Sequence, residues 1–360
     1  MIALLICLVL AVSIVVLGVY AERKVSAFIQ DRMGPMEVGP YGSLQLIADL
    51  IKLLQKEDIV PTAADRKLFL LAPALVFISV FAGYAVLPLS PDLQSSTTEV
   101  GVFFLLSIIA LDILGILMAG WASNNKYSLF GAMRTAAQVV SYEIPLGLSV
   151  LCVVMISQSL DLQQISYQQG VYAGEPIYLF GIKSWGLDVS HIGGVFSWNL
   201  FKVPFLFIVF VIYFLASLAE CNRAPFDIPE AESELVGGFH TEYSGFRWAI
   251  LFLSEYAMML LMCLLGAILF LGGWNTPLPN IGPIRLADWS SGTPGTLWGD
   301  VTGLFWLLAK GYSLIFVQMW IRWTYPRLRV DQLMYLCWKV LTPAGLILLF
   351  LSGIWRLLMV

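Results

Sequence analysis

Six carboxylates, Glu220, Asp227, Glu230, Glu232, Glu234 and Glu242, fall with one arginine, Arg223, in the run AECNRAPFDIPEAESELVGGFHTEY at residues 219–243. That is a quarter of the 24 acidic residues, in a chain 59% hydrophobic and 12% charged. Acids this close titrate as a coupled set and can take up or release protons together. Four more ionisable side chains, Asp112, Glu143, Glu255 and Lys310, interrupt long apolar runs. At the centre of a helix facing lipid each would cost about 2.5–3.5 kcal/mol, so they must face a bundle interior or water. Desolvation also moves the balance between the two protonation states of a carboxylate, which is the property a proton relay needs.

Two readings of these four remain open. They are structural partners, with Asp112 satisfied by a serine and Lys310 by an acid, or they form a proton or charge pathway. Three buried carboxylates with six more at the mouth favour the pathway. Pro145 follows Glu143 and has no N–H, which frees the carbonyl of Ser141. A kinked helix with a free carbonyl beside a carboxylate can hold water. Tyr256, next to Glu255, is within hydrogen-bonding reach of neighbours. In the acidic run, Pro229 suits the first turn of a short helix, which puts Glu230 and Glu234 one turn apart on one face. Like charges at that spacing repel. The loop therefore needs Arg223, an outside cation or partial protonation. The alternative, a solvated acidic surface loop, fits poorly with Phe226, Ile228, Leu235, Val236 and Phe239 among the acids.

Other chemistry is scarce. Cys7, Cys152 and Cys263 lie in apolar segments and Cys221 and Cys337 in loops, with no CxxC-type spacing. The only histidines, His191 and His240, are in loops, so a bis-histidine haem within the membrane is not expected. Neither GxGxxG nor a P-loop occurs. We expect no metal, no redox cofactor and no ATP site in this chain alone. A net charge of −4 argues against nucleic acid as a partner.

The elements that must position these residues are membrane helices. Over 360 residues the mean hydropathy is +0.83, and no soluble domain of this length has such a composition. The expected fold is all-α and polytopic, with eight transmembrane helices near 2–20, 68–88, 100–121, 138–158, 200–219, 247–272, 301–321 and 340–358. Residues 2–20 have no basic segment ahead of them, and Glu22, Arg23 and Lys24 follow, so a span is expected rather than a cleaved signal. Fifteen Lys or Arg fall in 21–67, 122–137, 220–246 and 322–339, counting Arg247 at the edge, against Lys183, Lys202, Arg285 and Arg356 on the other side. The positive side is the inside, so both termini are expected on the non-cytoplasmic side and the acidic loop 220–246 inside. Residues 43–57 form an amphipathic surface helix, with Leu44, Ile47, Ile51 and Leu54 opposite Gln45, Asp49, Lys52 and Lys56. Such a helix either covers the bundle or carries function. The Gly- and Pro-rich stretch 34–42 before it reads as a fixed bend. The outside loops 159–199 and 273–299 suggest folded caps, and residues 1–360 read as a single membrane domain without internal repeats.

Five ordered motifs, AERKVSAFIQDRMGPMEVGPYG (21–42), ADLIKLLQKED (48–58), SYEIP (141–145), AECNRAPFDIPEAESELVGGFHTEYSG (219–245) and the SEY of Ser254–Tyr256, make the chain resemble one membrane family. It is similar to the H-type, quinone-channel membrane subunit of respiratory complex I, the bacterial proton-pumping NADH:quinone oxidoreductase. The resemblance covers essentially the whole chain. Met36 departs from it, since the family usually has asparagine after that Gly-Pro. The resemblance implies a subunit of a translocase that is not active alone and has no catalytic residue of its own. Partner peripheral-arm subunits would carry FMN and iron–sulfur clusters and the quinone site, and further membrane-arm subunits would pump. Quinone would be the substrate. Arg23, Arg32, Asp49, Lys52 and Phe226 would line the quinone channel. Glu143, Glu220, Arg223, Asp227, Glu230, Glu232, Glu234, Glu242 and Glu255 would couple quinone reduction to proton movement. The implied location is the bacterial inner (plasma) membrane, and the sequence fits a mitochondrial inner membrane as well. Two rivals are a membrane anchor of an energy-converting hydrogenase or ferredoxin-dependent relative, and a stand-alone proton or solute transporter. The match over 21–42 and the surface helix favour the quinone version. The absence of repeated halves and broken helix pairs speaks against a transporter.

Overall fold

In lipid an unpaired backbone amide or carbonyl costs several kcal/mol, and a helix pairs both within one segment. The computed structural model follows that rule. It describes every residue except 1, 175, 184, 185, 187, 229–231, 282–284 and 360. Among the described residues there is no β-strand, only a single bridge between Tyr178 and Asp188.

The first helix, α1 (Ile2–Ile29), carries Glu22 and Arg23 well beyond the apolar stretch that ends at residue 20. The surface helix is α2 (Gln45–Gln55), with no buried residue. Helix α3 (Arg66–Tyr84) is capped by Asp65, which accepts from the N–H groups of Lys67 and Leu68. It packs against α5 (Leu111–Ala122), which continues α4 (Gly101–Ile109) across a break at Ala110. Helix α6 runs Lys126–Ser157 and so starts twelve residues before the span expected at 138–158. Asn125 caps it, and no proline interrupts 126–144, so the helix simply continues out of the apolar region. Arg134 therefore stands on a helix and not in a loop.

On the far side lie two short helices, α7 (Leu162–Tyr167) and α8 (Asn199–Lys202). The span expected at 200–219 is divided: Pro204 cannot donate to a helical bond, and the chain restarts as α9 (Leu206–Glu220). After the short α10 (Glu232–Leu235) comes α11 (Gly245–Phe270), then α12 (Leu286–Ser290), α13 (Leu297–Thr324), α14 (Val330–Tyr335) and α15 (Thr342–Met359), the last two joined by a π-helical turn at Leu336–Leu341. Six helical stretches among the described residues are long and apolar enough to cross a membrane: α3, α4 with α5, α6, α11, α13, and α14 through α15.

Helix α11 is the centre. Every residue from Tyr256 to Phe270 is buried, as expected of a helix that is apolar all round. It packs against α1, α3, α9 and α13. Lys310, on α13, caps its end. The Lys310 Nζ donates to the carbonyls of Leu271 (2.6 Å), Gly273 (3.0 Å) and Asn275 (2.5 Å) and lies 4.4 Å from the Trp198 ring centroid. Three ammonium donors meet three carbonyls. Its partners are thus backbone carbonyls, not the acid weighed from sequence. The segment 159–199 is tied to the same end by Gln169, which donates to the Ile268 carbonyl (2.9 Å) and accepts from the N–H of Asn199 (3.0 Å) and Gly272 (3.1 Å).

The carbonyl freed by Pro145 also has a protein partner. The Cys337 thiol, on the π-helical turn, donates to the Ser141 carbonyl at 3.0 Å, so that carbonyl is not free to order water in the way the sequence suggested. Cys337 is on a helix, where a loop was expected.

Candidate functional site

Two buried polar groups meet at the end of the bundle that carries the acidic loop, and the loop joins them. The first is centred on Glu22 of α1, which is 6% exposed. Its carboxylate accepts from Arg223 of the loop (3.4 and 3.5 Å), from Arg322 of α13 and from the Tyr256 hydroxyl of α11. The Arg223 guanidinium also stacks 4.2 Å from the Tyr256 ring centroid. One carboxylate is shared by two guanidiniums, so the cluster has an excess positive charge. Neither Glu22 nor Arg322 was expected here from sequence. Tyr256 turns to Glu22 and makes its hydrogen bond there, not to Glu255.

Beside this cluster, α1 and α2 are joined by Arg23, which donates to Asp49 at 2.6 Å. Gln45 (3.2 Å) also donates to Asp49, and Lys52 lies 3.7 Å away. Burial alone would raise the Asp49 carboxyl, but the Arg23 and Gln45 hydrogen bonds with the Arg23 and Lys52 charges outweigh it and hold it below the ordinary aspartate range. Arg32 is not drawn in: it donates to Gln30 at 2.6 Å and lies 3.5 Å from Ser26. Lys24 donates to the Pro35 carbonyl (2.7 Å) and lies 3.4 Å from the sulfur of Met36, so the bend 34–42 is fastened to α1 at its unusual residue. Phe226 is in the core, edge-on to Tyr142 at 5.3 Å.

The second group surrounds a cavity of about 20 Å³, room for roughly one water. Asp112 of α5, Glu220 at the end of α9 and Glu255 of α11 all line it, with Asn222, Ser254 and Phe239. Asp112 Oδ1 and Glu220 Oε2 are buried and make no hydrogen bond among the described residues. Such oxygens are costly unless protonated or met by water. Glu143 is half-buried on α6, within electrostatic range of Glu220. Glu255 is hydrogen-bonded to His240 at 2.8 Å. His240 lay outside the sequence candidates, because a lone loop histidine has no distinguishing spacing.

The loop between the groups is fastened by two cations and an amide from elsewhere. Arg134 donates to Glu234 (2.6 Å), Arg327 to Asp227 (2.9 Å) and Asn125 to Glu242 (2.6 Å). The hydrogen bond and charge of Arg134 hold the Glu234 carboxyl below the usual glutamate range. Of the counter-charges left open by the sequence, the outside cations are the ones that meet the loop's acids. Arg223 leaves the loop's acids for Glu22, and Arg134 and Arg327 take its place. Glu230 lies outside the described residues, as does the Glu232 side chain.

The family model described as NADH dehydrogenase matches residues 2–353. The chain is 63% identical over 359 residues to an H-type NADH-quinone oxidoreductase subunit, numbered 2, of Cytophaga hutchinsonii, covering 99% of this chain and 98% of that one. It is 52% identical over 340 residues to the H-type NADH-quinone oxidoreductase subunit of Chlorobium luteolum, covering 94% and 84%. It is 52% identical over 338 residues to the corresponding protein of Chlorobaculum parvum, covering 94% and 87%.

Proposed function

The chain belongs to the family of H-type NADH-quinone oxidoreductase subunits, membrane parts of an oxidoreductase complex, and on that premise we propose that it forms a quinone channel and couples quinone reduction to proton movement. The observation that carries this reading is the meeting of Asp112, Glu220 and Glu255 at one cavity, joined by one loop to the Glu22, Arg223, Arg322 and Tyr256 cluster. The carboxylates at the cavity are suited to hold protons. The Glu22 cluster has the excess positive charge that favours the negative charge a quinone head gains as it is reduced.

In this reading α1, α2 and α11 frame the entrance. The uncovered Leu44, just before α2, and Ile47, Leu50, Ile51 and Leu54 of α2 would meet the isoprenoid tail. Arg23, Asp49 and Lys52 would form the polar floor beyond them, with Arg32 and Phe226 further along the lining. Charge taken up as quinone is reduced would reach the loop carboxylates, Asp227, Glu234 and Glu242 with Glu230 and Glu232, then Glu220, Glu143 and Glu255. Partner peripheral-arm subunits, with FMN and iron–sulfur clusters, would deliver the electrons, and membrane-arm subunits would move the protons. Adding α1 and α9 to the six long apolar stretches would make eight spans, with both termini outside, in a bacterial inner membrane.

The test is made on the assembled complex in vesicles. Glu143→Gln and Glu234→Gln should assemble yet pump less than about half the protons per electron, the loss of one acid–base group costing a hundredfold or more in a proton-transfer step. Wild-type stoichiometry and turnover in both would overturn the coupling role. A photoreactive quinone analogue should label 21–58 or 220–256; labelling confined to distant lipid-facing positions would overturn the channel.

A further inference from the structure

The turn Gly238–His240 is built tightly into the bundle. Gly238 has φ +56°, in the left-handed region. A Cβ placed on Gly131 of α6 would stand 2.7 Å from the Gly238 Cα, so backbone meets backbone there. The Ser128 hydroxyl of α6 donates to the Phe239 carbonyl at 3.4 Å. Tyr243 stacks flat on Phe69 of α3, with centroids 4.2 Å apart, and its hydroxyl donates to the Phe69 carbonyl at 3.3 Å. Phe239 lies against the imidazole at 4.0 Å. Held in this way, His240 Nε2 comes 2.8 Å from Glu255 Oε1, with side chains 10% and 18% exposed.

The geometry points to His240 as the positioning residue of Glu255: the loop carries an acid–base partner that shares one proton with this carboxylate and aims it at the cavity. This rests on the coupling role proposed for Glu255. When the proton is on Nε2, the N–H donates to the carboxylate. When it is on Glu255, the O–H donates to neutral imidazole. One proton crosses the contact, and nothing else is exchanged. Imidazole changes charge near neutrality, so the pair can set the charge of the cavity wall in the working range. Other charged groups stand on the elements packed around the pair. Asp112 of α5 and Glu220 of α9 line its cavity. Arg223 lies in the field of Glu255. Arg247, earlier on α11, is paired with Asp58 at 2.8 Å. Helix α6 contributes Lys126 and Arg134, the latter held by Glu234, and α3 begins with Arg66 and Lys67. Glu242 accepts from Asn125.

The experiment uses the intact complex in vesicles, with turnover and proton uptake read between about pH 5 and 8. His240→Asn retains a donor but cannot take a proton. It should assemble in wild-type amounts, lose about a hundredfold in coupled turnover, and lose one ionisation step from the pH profile. A wild-type rate and profile would overturn the inference, provided Glu255→Gln is impaired. If Glu255→Gln is itself wild type, the coupling reading fails first. A slowed His240→Asn with an unchanged profile, restored by His240→Gln, would mark packing alone and also overturn it. The wild type supplies an independent measurement: carboxyl and imidazole bands in pH-dependent infrared difference spectra should change together. Bands that titrate at separate pH values would exclude a shared proton.

Discussion

Glu22 shows how a single residue can be essential to a site and invisible in its local sequence. Its partners are 201, 234 and 300 residues away, so no spacing encodes the cluster, and in sequence it is only a charge flanking a span. Glu22→Gln would leave two guanidiniums facing each other without a carboxylate. Breaking a buried ion pair costs about 3–5 kcal/mol, so the complex should melt at lower temperature or lose this subunit. Unchanged melting and assembly would show that water or a partner supplies the missing charge. Glu234 allows a pH test. Its folded carboxyl is held below its ordinary value of 4.5 by Arg134. A group with a depressed folded pKa adds stability above its unfolded value and loses it as pH falls through the folded one. The melting difference between wild type and Glu234→Gln should therefore be flat at neutral pH and shrink only below about 4.5. The contact is surface-exposed, so the difference is small and weakened by salt. A difference that vanishes already near neutrality would contradict the pairing with Arg134.

At the scale of elements, hydropathy made the helices legible but not their ends. Polar residues can extend a helix beyond lipid without a hydrophobic signal, which is how α6 reaches back to Lys126 and carries Arg134 to the loop. Pro204 was legible as a residue but not as the division between α8 and α9. The acidic loop was recognised by composition. Its fastening was not, because the cations come from α6 and from the segment after α13. Lys310 was seen as a buried charge, and only three-dimensional contacts show its three carbonyl partners. Lys310→Met should lower stability by about 3 kcal/mol, near 1 kcal/mol for each unmet carbonyl, while proton pumping per electron in the surviving complex stays at the wild-type value. A pumping defect without a melting defect would move Lys310 from cap to pathway. Gly131→Val, by contrast, would press the 238–240 turn away from α6 and should lower pumping more than melting temperature, since it displaces the backbone that carries His240.

At the scale of the molecule, the orientation we propose rests on charge and contacts together. The acidic loop, Arg134, Arg322, Arg327 and the surface helix α2 all lie at one end, the end with fifteen of the 20 Lys and Arg. The opposite end has four of them and a cap tied together by neutral amides such as Gln169 and Asn199. A bilayer retains the positive end on the inside, so Lys56 and Pro294, both exposed, should lie on opposite sides of the membrane. Cys152, Cys221, Cys263 and Cys337 are buried and give little background to a thiol reagent, and a Cys7→Ser parent removes the fifth cysteine. A membrane-impermeant maleimide added to intact cells should therefore label Pro294→Cys and spare Lys56→Cys. In inverted vesicles stripped of peripheral subunits the pattern should reverse. Labelling of both from one side would remove the odd number of crossings that separates them. It would then place α9, the one helix between these two positions that adds to the long apolar stretches, on the membrane surface instead of through it.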